Sequence, residues 1–124
     1  MADTGTVNSP DTKGSGLGLV VALDFNWTCD VSGNVEKTIA SPLLGQVLDF
    51  KTKPGTPAPT ALYDVTIEDE NGIDVLNAKG ADRSATLGET VKIDHAVNSA
   101  SFVFKVANAG ISKQGFAQLL IRWG

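Results

Sequence analysis

The stretch VALDFNWTC, residues 21–29, puts Val21, Leu23, Phe25, Trp27 and Cys29 in one register and Asp24, Asn26 and Thr28 in the other. Side chains of an extended chain point to opposite faces in turn, so this alternation marks a strand with one face buried. The same period recurs downstream. Tyr63, Val65 and Ile67 alternate with Asp64, Thr66 and Glu68; Phe102, Phe104 and Val106 form another apolar register, with Lys105 opposite; Ala117, Leu119, Ile121 and Trp123 stand opposite Gln118 and Arg122.

Between these runs lie chain breakers. Asp30-Val31-Ser32-Gly33-Asn34 is a turn by composition, and Ser41-Pro42 ends a more polar strand over Val35 to Ile39. Leu44 to Thr52 reads as a third strand with Leu48 and Phe50 on one side. KPGTPAPT, residues 53–60, is a stiff exposed loop expected to cross from one sheet to another. Asp69-Glu70-Asn71-Gly72 carries the Asn-Gly hairpin signal, so Ile73, Val75 and Leu76 are expected to begin a returning strand. Residues 77–90 read as a long loop, Val91 to Ile93 as a short strand, and 108–115 as a turn-rich link. No segment keeps a helical period for the ~10 residues a helix needs. The expectation is an all-β, single-domain β-sandwich or small barrel of about seven or eight antiparallel strands.

Residues 1–16, MADTGTVNSPDTKGSG, are small and polar and show no period. They are expected to form a flexible N-terminal arm, either an unstructured tail or a segment that orders on a partner, ahead of a β-sandwich domain over 17–124. At 124 residues, with 42% hydrophobic and 19% charged side chains, the chain is long enough to bury its own core.

Bulk chemistry narrows the function. A net charge of −4 gives no basic surface to displace counterions from nucleic acid or to hold anionic lipid, so neither partner is expected. The apolar run from Leu17 to Leu23 is far short of the ~20 residues of a membrane helix. Asn26-Trp27-Thr28 fits a glycosylation sequon, which carries little weight without a secretion signal. A single cysteine, Cys29, allows no intrachain disulfide and reads as a small buried hydrophobe. His95, the one histidine, has no nucleophile motif around it and reads as a surface loop or strand-end residue. The acidic group Asp64, Glu68, Asp69, Glu70 and Asp74 invites a calcium or carboxylate-pair reading. Asp69, Asn71 and Asp74 are the weak metal candidates, but the spacing lacks the D-x-D-x-D-G pattern and its downstream Glu. No catalytic residue, cofactor or metal is expected.

Several segments appear in a familiar order: Phe25 to Asn34, Pro54 to Thr60, Tyr63 to Thr66, the acidic turn, Gly72 to Leu76, Gly80 to Arg83, and Val106 to Gly110. Together, over roughly residues 19–121, they resemble small virion structural proteins of tailed bacteriophages. The chain departs from that pattern at Cys29, where a small polar residue is expected, and in the loop from Ala85 to Thr90. The resemblance implies a non-enzymatic capsid decoration (cement) protein, or else a neck or tail accessory protein. It implies a homo-oligomer located in the virion, with the major capsid protein or other virion subunits as partners. Leu17, Leu19, Val20 and Trp123 are the expected contact residues. A calcium- or carbohydrate-binding β-sandwich module is the reading from a different class.

Overall fold

The computed structural model describes residues 5–7, 11–14 and 20–122, with residues 11–14 defined through their backbone pairing. Among them are nine strands and no helix: β1 Thr6–Val7, β2 Asp11–Gly14, β3 Val20–Thr28, β4 Val35–Ile39, β5 Leu43–Pro54, β6 Asp64–Glu68, β7 Glu89–Ser99, β8 Phe102–Ala107 and β9 Gln114–Arg122. They form two antiparallel sheets. The larger runs β1-β3-β9-β5-β7, with β2 also paired to β3; the smaller runs β4-β8-β6. The chain is therefore an all-β sandwich, as the period-two pattern implies.

Every connection from β3 to β9 passes from one sheet to the other. This is the strand order of a jelly roll in which the strand beside β6 is reduced to single bridges, Glu68 with Asp74 and Tyr63 with Arg83. The Pro-rich loop after β5 makes one of these crossings, as expected from its composition.

The core is filled by the registers that alternate in sequence. Phe25, Trp27, Phe50, Tyr63, Phe102, Phe104, Leu119 and Ile121 are all buried. Phe25 stacks on Phe104 with centroids 4.7 Å apart and meets Phe102 edge-on at 6.2 Å, which joins the two sheets through aromatic contacts. Trp27 packs 5.6 Å from Tyr63. A Cβ added at Gly115 would lie 2.2 Å from the Trp27 ring, so the indole fills the space a side chain there would need.

Four expectations change. Leu48 does not share a face with Phe50: the register of β5 shifts between Val47 and Asp49, a bulge that turns both Val47 and Phe50 into the core and leaves Leu48 half-buried. Ile73 to Leu76 is not a returning strand, because Asp74 holds the segment in turns and both Val75 and Leu76 are buried. The short strand expected at Val91 to Ile93 is an eleven-residue strand, β7, paired along β5. Asp24, assigned to the solvent face, is on that face but buried, and accepts a 2.8 Å hydrogen bond from Gln118 Nε2. Within the segment read as an arm, Thr6–Val7 and Asp11–Gly14 pair with the edge of β3, where backbone ladder bonds replace the missing apolar periodicity.

Candidate functional site

The acidic turn is built from local capping. Asp69 Oδ1 accepts from the backbone N–H groups of Asn71 (2.9 Å) and Ile73 (3.0 Å). Asp74 accepts from Ile67 (3.2 Å), Leu76 (3.1 Å) and Ala78 (3.0 Å). Short carboxylates suit such turns because they satisfy backbone donors that no strand partner reaches. Asn71 is exposed beside them. Among the described residues, no three His, Cys, Asp or Glu side chains converge on one point as metal ligands. Other acids do similar work. Asp30 holds Ser32 and Asn34, Asp64 holds Asp82 and Asn108, and Glu70 holds Ala100.

His95 sits within β7, not at a strand end, and its Nδ1 is 2.9 Å from Asn77 Oδ1. Cys29 is buried, as expected. Its thiol donates to the Gly110 carbonyl at 2.8 Å, and its sulfur accepts from Lys113 N–H at 3.0 Å. It therefore pins the link after β8 to the link after β3.

A buried polar cluster escapes the sequence reading. Arg83, 5% exposed, donates from Nε to Thr52 Oγ1 (2.8 Å) and from its two terminal nitrogens to the carbonyls of Lys79 and Glu89 (3.2 Å each). Its guanidinium lies 5.8 Å above the Phe50 ring and its Nε lies 3.7 Å from Glu89 Oε1. Burial pushes the Tyr63 phenol above its ordinary value. Thr52 and the Arg83 charge draw it partly back, and Glu89 adds to the rise. Such a cluster ties β5 to the 77–89 segment and β7.

The surface feature that stands out is one end of the sandwich. Four links meet there: 29–34, 55–62, 81–88 and 108–113. Backbone hydrogen bonds sew them into a row. Ser112 N–H donates to Asp30 O and Ala109 N–H to Gly33 O; Thr60 N–H donates to Ala109 O, and Leu62 N–H to Arg83 O. Leu62, Asp82, Asn108 and Ser112 all hold positive φ, at 68°, 55°, 63° and 52°. Non-glycine residues rarely adopt that conformation unless their surroundings enforce it. Gly33, at φ 82°, has room for no side chain: a Cβ there would stand 2.7 Å from Gly110 N.

Each of these links carries one large exposed aliphatic residue: Val31 (75%), Leu62 (63%), Leu87 (66%) and Ile111 (69%). Of the residues exposed in the four links, Asp82 alone is charged. Burying what each aliphatic leaves exposed would stabilise a complex by roughly 1–2 kcal/mol. Turn composition marked all four segments as loops, but period alone cannot show that they converge. Of the expected contact residues, Val20 is exposed and begins β3 opposite Arg122, at the other end of the sandwich. Leu17, Leu19 and Trp123 lie outside the described residues.

No protein-family model matches the chain. Comparison with curated proteins finds no similar sequence. Among solved structures, the chain is similar to a family two carbohydrate esterase from Cellvibrio japonicus, at 12% identity and TM-score 0.43 over 99% of this chain. It spans 35% of that esterase's length. It is also similar to a family 35 carbohydrate binding module from Clostridium thermocellum, at 15% identity and TM-score 0.32, over 93% of this chain and 90% of the module.

Proposed function

We propose that this chain is a non-enzymatic structural protein of a tailed-phage virion, a decoration or cement protein that binds the outer shell through subunit contacts. Its partners on this reading are the major capsid protein and further copies of itself. The observation that carries the reading is the loop end of the sandwich, with four exposed aliphatics, one exposed charge and a backbone held by cross-links between all four loops. Interface centres are depleted in charge and favour preorganised surfaces, and this end has both properties. The resemblance of the segment order, over roughly residues 19–121, to virion structural proteins points to the same reading. Asp69 and Asp74 in the acidic turn accept hydrogen bonds from backbone N–H groups of their own segment.

The test is the composition of purified particles of the phage that encodes the chain. Quantitative mass spectrometry is expected to find hundreds of copies, and an image reconstruction to place them on the shell. A dozen copies or fewer would move the protein to the neck or tail. Absence from the particle would overturn the virion reading altogether.

A further inference from the structure

We infer that Asn71 is a self-modifying site: the backbone nitrogen of Gly72 attacks the Asn71 side-chain amide, and water completes its conversion to aspartate and isoaspartate. The native turn restrains this reaction, so conversion records the time a chain spends with the turn open. The inference is independent of the virion reading above.

The chemistry needs an unhindered main-chain nitrogen next to an asparagine in contact with water. Asn71-Gly72 is the one Asn-Gly pair in the chain; the other asparagines precede Ser, Trp, Val or Ala. Asn71 and Gly72 are both exposed, and no heavy atom beyond the chain neighbours lies within 4 Å of the place where a Cβ on Gly72 would stand. With no side chain of its own, Gly72 does nothing to shield its nitrogen. The step balances without a redox partner. Hydroxide takes the Gly72 amide proton, the nitrogen bonds to Asn71 Cγ, and the Cγ–Nδ2 bond breaks to release ammonia. A cyclic succinimide results, and water opens it. Cleavage of the new bond leaves aspartate; cleavage of the original peptide bond leaves isoaspartate, in which the chain runs through Cγ. Either product carries one more negative charge than the starting chain.

The fold holds the reaction back at its first step. Gly72 N–H donates to the Asp69 carbonyl at 2.9 Å. While that bond stands, the proton is withheld from hydroxide and the nitrogen stays in the plane of its peptide. Asp69 Oδ1 fixes the residues on either side of Gly72 through the N–H groups of Asn71 (2.9 Å) and Ile73 (3.0 Å), and Asp69 N–H closes the turn on the Ile73 carbonyl (2.9 Å). The turn is also moored from outside. Glu70 N–H donates to Ser99 Oγ at 2.9 Å, and the Glu70 carboxylate accepts from Ala100 N–H at 2.6 Å. Freeing Gly72 N–H therefore breaks several hydrogen bonds together, which makes opening infrequent.

The experiment incubates the full chain in mildly alkaline buffer and follows each asparagine by peptide mapping, with isoaspartate scored by enzymatic methyl transfer. In guanidinium chloride, Asn71 is expected to convert faster than any other asparagine. In the folded chain, at matched ionic strength, it should convert at least about tenfold more slowly. Asp69→Ala removes the side-chain caps; it should raise the folded rate about three- to tenfold and leave the rate in guanidinium unchanged. Glu70→Ala, at an exposed position, should act in the same direction by releasing the outer mooring. Melting temperatures will show that the variants fold. Asn71→Gln should remove the signal from this peptide.

Each outcome decides something. Equal rates in the folded and denatured chain would overturn the restraint. An intact Asn71 in guanidinium, or faster conversion there at another asparagine, would overturn the site. Folded rates moved by neither Asp69→Ala nor Glu70→Ala would show that these hydrogen bonds do not govern the reaction, and would overturn the mechanism.

Discussion

Replacing Arg83 by Met should cost this fold about 3–4 kcal/mol. The Met stem keeps most of the packing volume but removes the guanidinium. Thr52 Oγ1 and the carbonyls of Lys79 and Glu89 then lose their donor, and the contact over Phe50 loses its charge. Hydrogen bonds from a charged donor contribute roughly 1.5–3 kcal/mol each, but the two carbonyls are only partly buried and can turn to water, and removing the guanidinium recovers its own desolvation cost, so the net loss is well below the sum. The Glu89 carboxylate, with a side chain 40% exposed, adds little because water screens it. For a domain of this size, the loss should lower the melting temperature by roughly 10–15 °C. Urea titration followed by Trp fluorescence measures the free energy directly. Arg83→Lys should recover less than half of it, since one ammonium cannot reach three acceptors in the directions the planar fork does. A loss below about 1 kcal/mol for Arg83→Met would refute the claim that this cluster joins β5 to the segment before β7.

Other expectations follow from single contacts. Tyr63 is the sole tyrosine, and its pKa is raised above the ordinary 10.0 chiefly by burial, so the unfolded chain loses this proton first as pH rises. Stability is thus constant in this respect below about pH 10 and falls above it; Tyr63→Phe should be near neutral at pH 7 and should flatten the alkaline decline seen in melts. Asp74→Ala should destabilise by about 2 kcal/mol by freeing three backbone N–H groups, measured by urea titration. Millimolar calcium should leave the wild-type melting temperature unchanged in calorimetry, and a rise of several degrees would reopen the metal reading of Asp69, Asn71 and Asp74. Gly115→Ala should cost about 1–3 kcal/mol by driving a methyl into the Trp27 ring, and a crystal structure should show the indole displaced.

The strands with one buried face were legible because burial writes itself into alternate residues. Phe25 and Trp27, Val65 and Ile67, Phe102 and Phe104 all landed in the core. Where backbone irregularity intervened, the period misled. The bulge at Leu48 adds a residue on one strand, and nothing in LLGQVLDF announces it. At Asp74 the side chain's competition for backbone donors defeated the strand that Ile73, Val75 and Leu76 suggested. Long range was the other barrier. Arg83 is separated from Thr52 by 31 residues, and Cys29 from Gly110 by 81, so neither contact has a local signature. The loop end was legible only in pieces. In the sequence, Val31, Leu62, Leu87 and Ile111 are single apolar residues in separate turns, and only the topology brings their loops to one end.

The position of β9 has a consequence for how the protein is made. It is the latest of the described strands in the chain, yet it lies in the interior of the larger sheet, between β3 and β5. A nascent chain emerging from the ribosome therefore holds two edges it cannot join until β9 is synthesised. Products that stop short of Gln114 leave β3 and β5 with open ladders and an uncovered aromatic layer, which proteases and chaperones recognise. Only polypeptides translated through β9 can close the sheet, so the topology itself screens out incomplete copies before any reach their place of use.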